Sequence, residues 1–527
     1  MVTSKIDLRS LTDFSNLAAR RALAALAFLV PLSVYLLTLA PGLTWAHYGA
    51  DGGDLVTAAY TLGVPHPPGY PTYTSLAWLF TRLPVGSVAW RVNLLSATST
   101  AAAAALIYWA VLKLAEEEGD TTVVFAALGA AWSFAFAPLI WSQALIAEVY
   151  GLAGLWTAVI LLLALPPPSR HKPLILGMIW SLGLGVHLIL IFLAPVVVWA
   201  VWRAGRRAWC RTLIGFCAGL LVWLYLPLRA GRGGVTWGQP TDLAGMWWLV
   251  SGTLYRDYVF ALPIPALGER LVSWAQTWNG WGLAGLAMAT WGVVWSANRR
   301  RGWLAASGLS FVVLNLYALG YNTADSVVYL GPAFVIGSIW LGAGLADLFR
   351  WVLGWRRAGL VLNLRRVFPR QALRNTPERH SAEWRRATPQ GRWLTPLMLV
   401  IALLTPAWML MRHKGALDLS ADHDAENFGQ AVTRDAPPRA ILLTESDRQT
   451  FALWYYQQVK GLRPDVAVVD AGLVGFDWYW AGLRQDHPDL VRDSATAAVV
   501  STDARPRCRV RRKARTEWLD CQNSHIN

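Results

Sequence analysis

The sequence predicts a mainly α-helical, polytopic membrane protein with a small extracytoplasmic α/β domain at its C-terminal end. Three observations carry that prediction. Of the 527 residues 55% are apolar and the mean hydropathy is +0.36, with repeated apolar runs of bilayer-spanning length. The basic residues fall in short runs between those segments, and each run lands on one side when the spans are counted off. After Met411 the composition changes to a polar sequence with short strand-like runs. The net charge of +15 is spread between spans and gathers on no single face, so no nucleic-acid partner is expected. Thirty-one Trp suit the interfacial belts of a membrane protein.

The apolar run from Ala22 to Ala40 is too long for a signal-peptide core and reads as a first span running outward from the basic start. The first outer loop, residues 41–91, includes a short apolar helix from Thr72 to Leu83 lying in the interface. Val92 to Leu114 returns, and Thr122 to Ala137 and Leu139 to Leu165 form the next pair. Leu174 to Trp202 is too long for one comfortable helix. Gly183, Gly185 and Pro195 break it, so two short spans hinged near His187 are expected. Further spans are Leu213 to Leu228, Trp274 to Trp295, Trp303 to Tyr321, Val327 to Leu345 and Trp393 to Met411, about eleven crossings in all. Between the last two lies a cytoplasmic loop, residues 347–392, whose arginines suit contact with anionic membrane lipid.

The multi-pass unit is therefore residues 1–411 and the outer domain residues 412–527. In the outer domain Arg439 to Thr444 and Asp465 to Asp470 read as short buried strands that pair in one sheet, with a helix over Gln449 to Val459. Phe451, Trp454, Tyr455 and Tyr456 are either core residues or aromatic surface that stacks on sugars or covers the membrane unit, and this domain is expected to serve acceptor binding and not the chemical step. Cys508 and Cys521 are compatible with a disulfide outside the cytoplasm or with two free thiols, whereas Cys210 and Cys217 have no clustered ligands near them.

The stretch A-D-G-G-D-L-V-T-A-A-Y-T-L-G-V-P-H-P-P-G-Y-P-T-Y, Ala50 to Tyr73, organises the rest. Asp51 and Asp54 meet across one turn if Asp51 opens a helix, an arrangement that serves as a simple N-terminal cap or as a paired-carboxylate site. Pro65, Pro67, Pro68 and Pro71 make the following segment a stiff loop carrying His66 and Tyr70. Such a loop persists at membrane level where it is buried in protein or lines a wet cavity. Glu148 near the outer end of a helix, His187 at a hinge, Arg229 at a span end, Arg256 in the long outer loop, and Asn322 and Asp325 in the next outer turn all fall on that same side. Ionisable residues at membrane depth are functional candidates. Their one-sided placement argues against a transporter, which needs a midplane site.

D-G-G-D-L-V-T-A-A-Y-T-L-G-V-P-H-P-P-G-Y-P, W-R-V-N-L-L-S-A, S-Q-A-L-I-A-E-V-Y and T-F-A-L-W-Y-Y-Q-Q-V-K-G-L-R-P-D-V resemble the protein O-mannosyltransferase-like family, a branch of the GT-C glycosyltransferases. The resemblance implies a GT-C-like fold and a polyprenyl-phosphate sugar donor. It implies an extracytoplasmic protein, lipid or glycan acceptor, with Asp51 as the base on the acceptor hydroxyl. Asp54 stands where the family more often has Glu, one methylene short. Transfer needs a carboxylate to take the acceptor proton and cationic or donor groups for the departing lipid phosphate. Arg229 and Arg256 are suitable types, with His66 and His187 as further donors. Two carboxylates and two scattered histidines do not specify a divalent metal, and no cofactor is expected. The rival readings are a lipid or solute transporter and a non-catalytic membrane assembly protein. The expected location is a prokaryotic cell membrane with the site and outer domain outside.

Overall fold

The structure, a computed structural model, describes residues 16–115, 122–165, 167, 169–232, 234–367, 391–492, 499–501, 505–513 and 516–522. The turn Glu116 to Asp120, most of the Arg-rich loop and the last five residues lie outside them. Helix α1, Leu17–Thr38, starts where the Asn16 side chain accepts from the Ala18 amide. Two short helices follow in the first outer loop, α2 (Gly52–Thr61) and α3 (Pro71–Thr81). The long α4, Val88–Ala115, is central to the helical unit. Ala97, Ala101 and Ala104 are fully buried and let α1 and neighbouring helices approach closely.

The next expected pair of spans is broken differently. Helix α5 (Val123–Ala135) bends by 65° into α6 (Pro138–Ala144), and residues 145–149 leave the helix before α7 (Tyr150–Ala164). Pro138 is the cause, since it starts a helix well and cannot continue one. The hinge near His187 is present between α8 (Lys172–Leu184) and a 3₁₀ turn that leads into α9 (Ala194–Ala204). Helices α10 (Arg206–Leu220) and α11 (Tyr225–Arg229), joined by a 3₁₀ turn, form one span, and the long outer loop contains α12 (Leu243–Val250). The segment expected as Trp274 to Trp295 divides into α13 (Leu267–Asn279) and α14 (Gly282–Arg299). Then come α15 (Arg301–Gly320), α16 (Gly331–Val367) and α17 (Gly391–Leu417). Among the described residues six helices are long and apolar enough to cross a bilayer, or seven when the bent α5–α6 pair counts as one.

The outer unit is α/β. Helix α18 (Asp424–Asp435) precedes β1 (Ile441–Thr444), α19 (Asp447–Gln458), β2 (Ala467–Asp470) and α20 (Asp477–Asp486). β3 (Leu490–Arg492) and β4 (Val499–Ser501) form an antiparallel pair. β5 (Arg507–Lys513) and β6 (Thr516–Gln522) complete the main sheet, in the order β2-β1-β5-β6. β1 is parallel to β2 and to β5, and its flanked position explains its unbroken apolar run. The β5 run R-C-R-V-R alternates buried Cys508 and Val510 with exposed arginines, a period-two pattern. Cys508 and Cys521 face each other across β5 and β6 and are joined as a disulfide.

Candidate functional site

The motif stretch folds into a helix and a stiff loop that turn back on each other. Asp51 precedes α2, but its side chain makes no capping hydrogen bond and is free for other work. Asp54, one turn on, is fully buried. One Asp54 oxygen accepts from the His66 backbone amide at 2.9 Å and lies 2.7 Å from His66 Nδ1. The other accepts from Trp237 Nε1 at 3.1 Å. The opposite ring nitrogen of His66, Nε2, stands 3.6 Å from Asp51 Oδ2. The result is a chain, Asp54–His66–Asp51, with a closed end and an open one: the Asp54 side chain is 0% exposed and that of Asp51 39%.

Electrostatics follow from that layout. Burial penalises the imidazolium, yet Asp51 and the Asp54 hydrogen bond outweigh it and push His66 up to about 9. Asp51 reaches solvent through a recess with protein close around it. That desolvation raises its carboxyl to about 6, against the pull of His66.

Local backbone features hold the chain in place. Gly69 has φ +89° and Tyr70 φ +39°, so the chain reverses into α3 and lays Tyr70 against His66, ring centroids 5.1 Å apart. Val64 donates to the Val235 carbonyl at 2.7 Å and accepts from Trp237 at 3.0 Å, which delivers the Trp237 indole to Asp54. Gly63 permits this pairing, because a Cβ there would stand 2.3 Å from the Val235 oxygen. The motif W-R-V-N acts as a latch. Arg91 donates to the Thr81, Val85 and Gly86 carbonyls, and Asn93 to those of Ala40 and Gly42.

The structure brings several of the other expected residues to this recess. His187 is ring-packed between Tyr70 (5.9 Å), Tyr150 (5.6 Å) and Tyr329 (5.7 Å), and its Nδ1 accepts from the Ile189 amide. Glu148 is buried in the break before α7, and the charges of Glu148 and Asp325 are felt on the same Asp51 and Tyr70 cluster. Asn322 sits in the outer turn with Asp325, its amide bonded to the Tyr258 carbonyl.

The two arginines are not brought in. Arg229 donates to the Leu62 and Thr61 carbonyls at 2.6 and 3.0 Å and so closes the C-terminal end of α2. Arg256 is exposed over the Trp247 ring at 5.7 Å. Among the described residues no three His, Cys, Asp or Glu side chains converge as a metal-ligand group.

The region that begins at Asp51 matches a known family model. Residues 51–209 match the family model for the Protein O-mannosyl-transferase TMEM260 N-terminal domain, and residues 425–492 match TMEM260-associated domain 2. The chain is similar to the protein O-mannosyl-transferases. It is 28% identical over 486 residues to Protein O-mannosyl-transferase TMEM260 of Mus musculus, spanning 87% of this chain and 64% of the mouse protein. It is 21% identical to the Dictyostelium discoideum protein of the same name, spanning 58% of that protein. These relatives are eukaryotic, so the expectation of a prokaryotic membrane is not borne out. The fold is of the GT-C type. ArnT from Cupriavidus metallidurans, crystallised bound to undecaprenyl phosphate, superposes with a TM-score of 0.50 at 13% identity, over 86% of this chain and 89% of ArnT.

The O-mannosyl-transferase-like segment 51–209 contains Asp51, Asp54, His66, Tyr70, Glu148 and His187, and the second matched segment contains α19. Sequence reasoning missed Trp237, which lies in neither segment. Its one signal is its setting in V-T-W-G-Q-P, an isolated aromatic in a polar outer loop. Helix α19 lies against the membrane unit, one of the roles expected of its aromatics. Gly53 of α2 lies so close to it that a Cβ would stand 2.5 Å from the Phe451 carbonyl group, so the outer domain forms a wall of the site. Phe451 and Trp454 pack on Trp237 at 6.1 and 6.3 Å. Asp447, one helical turn before Phe451, is close enough for its charge to act on His66 and Asp51. All four aromatics expected as core or acceptor surface, Phe451, Trp454, Tyr455 and Tyr456, are buried.

Proposed function

We propose that this protein is a membrane glycosyltransferase. It moves a sugar, mannose by analogy with its relatives, from a polyprenyl-phosphate donor to the hydroxyl of an extracytoplasmic acceptor. The observation that carries this reading is the polarised chain Asp54–His66–Asp51, which ends in one accessible carboxylate within a recess. Forming the glycosidic bond requires the acceptor hydroxyl to lose its proton as its oxygen attacks the anomeric carbon, while the bond from that carbon to the lipid phosphate breaks. Asp51 is the group suited to take the proton. Its carboxyl, raised to about 6, is ionised at neutral pH yet more basic than an ordinary carboxylate. Asp54 is sealed from substrate, so its role is to fix the His66 ring, and His66 in turn orients Asp51. His187 and its ring of tyrosines line the same recess and offer donors for a phosphate or sugar hydroxyl.

The purified chain, incubated with radiolabelled polyprenyl-phosphate mannose and a hydroxyl-bearing acceptor peptide, is expected to move label from the lipid to the peptide or to water. Label crossing a liposome membrane unchanged identifies a transporter. Label that stays on the lipid and on its own side, across a panel of donor sugars, leaves a non-catalytic assembly role.

A further inference from the structure

Beside the catalytic recess, a second cleft opens between the outer loop around Trp237 and helices α19 and α20 of the outer domain. Its aromatic wall is three indoles. Trp237 and Trp478 have ring centroids 5.4 Å apart, and Trp237 and Trp454 6.3 Å. Tyr479, side-chain amides and the Asp486 carboxylate add to the lining, and among the described residues lining it none is Lys or Arg. Three polar atoms on lining residues, Thr236 Oγ1, Gln458 Oε1 and Trp478 Nε1, are buried without a hydrogen-bond partner. An unpaired buried polar atom is costly, so three on the residues of one cleft point to a ligand that satisfies them.

We infer that this cleft is a binding subsite for a neutral carbohydrate. The orphaned set holds one obligate donor, the indole N–H, one obligate acceptor, the amide oxygen, and a threonine hydroxyl that serves as either. Sugar hydroxyls both donate and accept, and so suit all three kinds of group. Indole surface matches the apolar C–H face of a pyranose, and a described lining with a carboxylate and neither Lys nor Arg disfavours phosphate or carboxylate ligands. The Trp237 indole separates the two sites, bonding Asp54 through its N–H while its ring lines the cleft. A glycan held here lies next to the transfer site, as a sugar-bearing acceptor or the glycosylated product would.

The choice of a sugar rests in part on the proposed transfer, so binding is to be read separately from turnover. Saturation-transfer NMR on the full chain in nanodiscs, with methyl α-mannoside and an α-linked mannobiose as probes, is expected to show contact in the wild type and equally in Asp51→Asn. Gln458→Leu, which keeps the size and removes the acceptor, and Trp478→Phe, which keeps a ring and removes the donor, should each weaken the signal about fivefold. Signals unchanged in both variants, no sugar signal in the wild type, or displacement of the sugar by a neutral unglycosylated peptide would overturn the assignment. Binding without transfer would remove the proposed reaction and leave the cleft. Transfer without binding would remove the cleft alone.

Discussion

His66 is held between two carboxylates of unequal standing, and that inequality gives the site a direction. Asp51 is ionised only above about pH 6 and His66 stays charged to about pH 9. The base is therefore lost as pH falls through the lower value, and the cation that orients it is lost as pH rises through the upper one. A plot of kcat/KM against pH should be a bell with limbs near those two values, whereas a profile flat from about pH 5 to 10 would remove both groups from the rate. Trp237→Phe keeps the ring packing but leaves one buried Asp54 oxygen without its donor, a loss of about 1–3 kcal/mol. Transfer should drop roughly tenfold or more with protein yield maintained, and an unchanged rate would make the indole bond incidental. At this scale the sequence was informative. Two aspartates one turn apart and a histidine on a proline-stiffened loop announced the cluster, and their spacing allowed both carboxylates to reach one ring. Trp237 was not legible, because its contact depends on a strand-like pairing with Val64 across more than 170 residues of chain.

The elements were legible where a single periodicity runs unbroken, as in α1, α4 and α15, and in the two short strands β1 and β2. They were not where tertiary packing sets the break. The run expected as one helix from Leu139 to Leu165 is interrupted at residues 145–149, between α6 and α7, and β5 was obscured because its exposed positions are all arginine. The contact between α2 and α19 rests on a glycine. Gly53→Ala should force the two backbones apart at Phe451, and a clash of that kind costs about 1–3 kcal/mol. Limited proteolysis of the outer domain should accelerate and transfer should fall, and a variant as resistant as the wild type would show that the helices give way without cost. Within the outer domain Arg463 donates to the Thr433, Ala436 and Pro437 carbonyls and to Asp465. Arg463→Ala should lower the domain's stability by about 2 kcal/mol, read as an earlier thermal transition with the membrane helices unaffected. An unshifted transition would count against the lock.

Across the whole molecule the helical unit and the outer domain share one site. Arg448 is the staple, bonded to Glu517 of β6 and stacked on the Trp45 ring at 4.6 Å in the first outer loop. The sequence led to the expectation that the outer domain serves acceptor binding alone. With α19 packed on the motif helix, its removal would also uncover Trp237 and the Asp54 end of the chain. Deleting residues 418–527 should therefore abolish both transfer and slow donor hydrolysis, while surviving hydrolysis would return the domain to an acceptor role only. Charge sets the expected orientation, with the arginine clusters inside and the candidate carboxylates outside. A cysteine at Gln371 should resist an impermeant maleimide in intact cells and one at Lys460 should react. The opposite labelling would invert the orientation. The most direct measurement compares wild type with Asp51→Asn, both purified and shown to be folded, in the transfer of label from polyprenyl-phosphate mannose. Loss of transfer by at least about a hundredfold is expected of a missing general base, and turnover at the wild-type rate would contradict the assignment of Asp51.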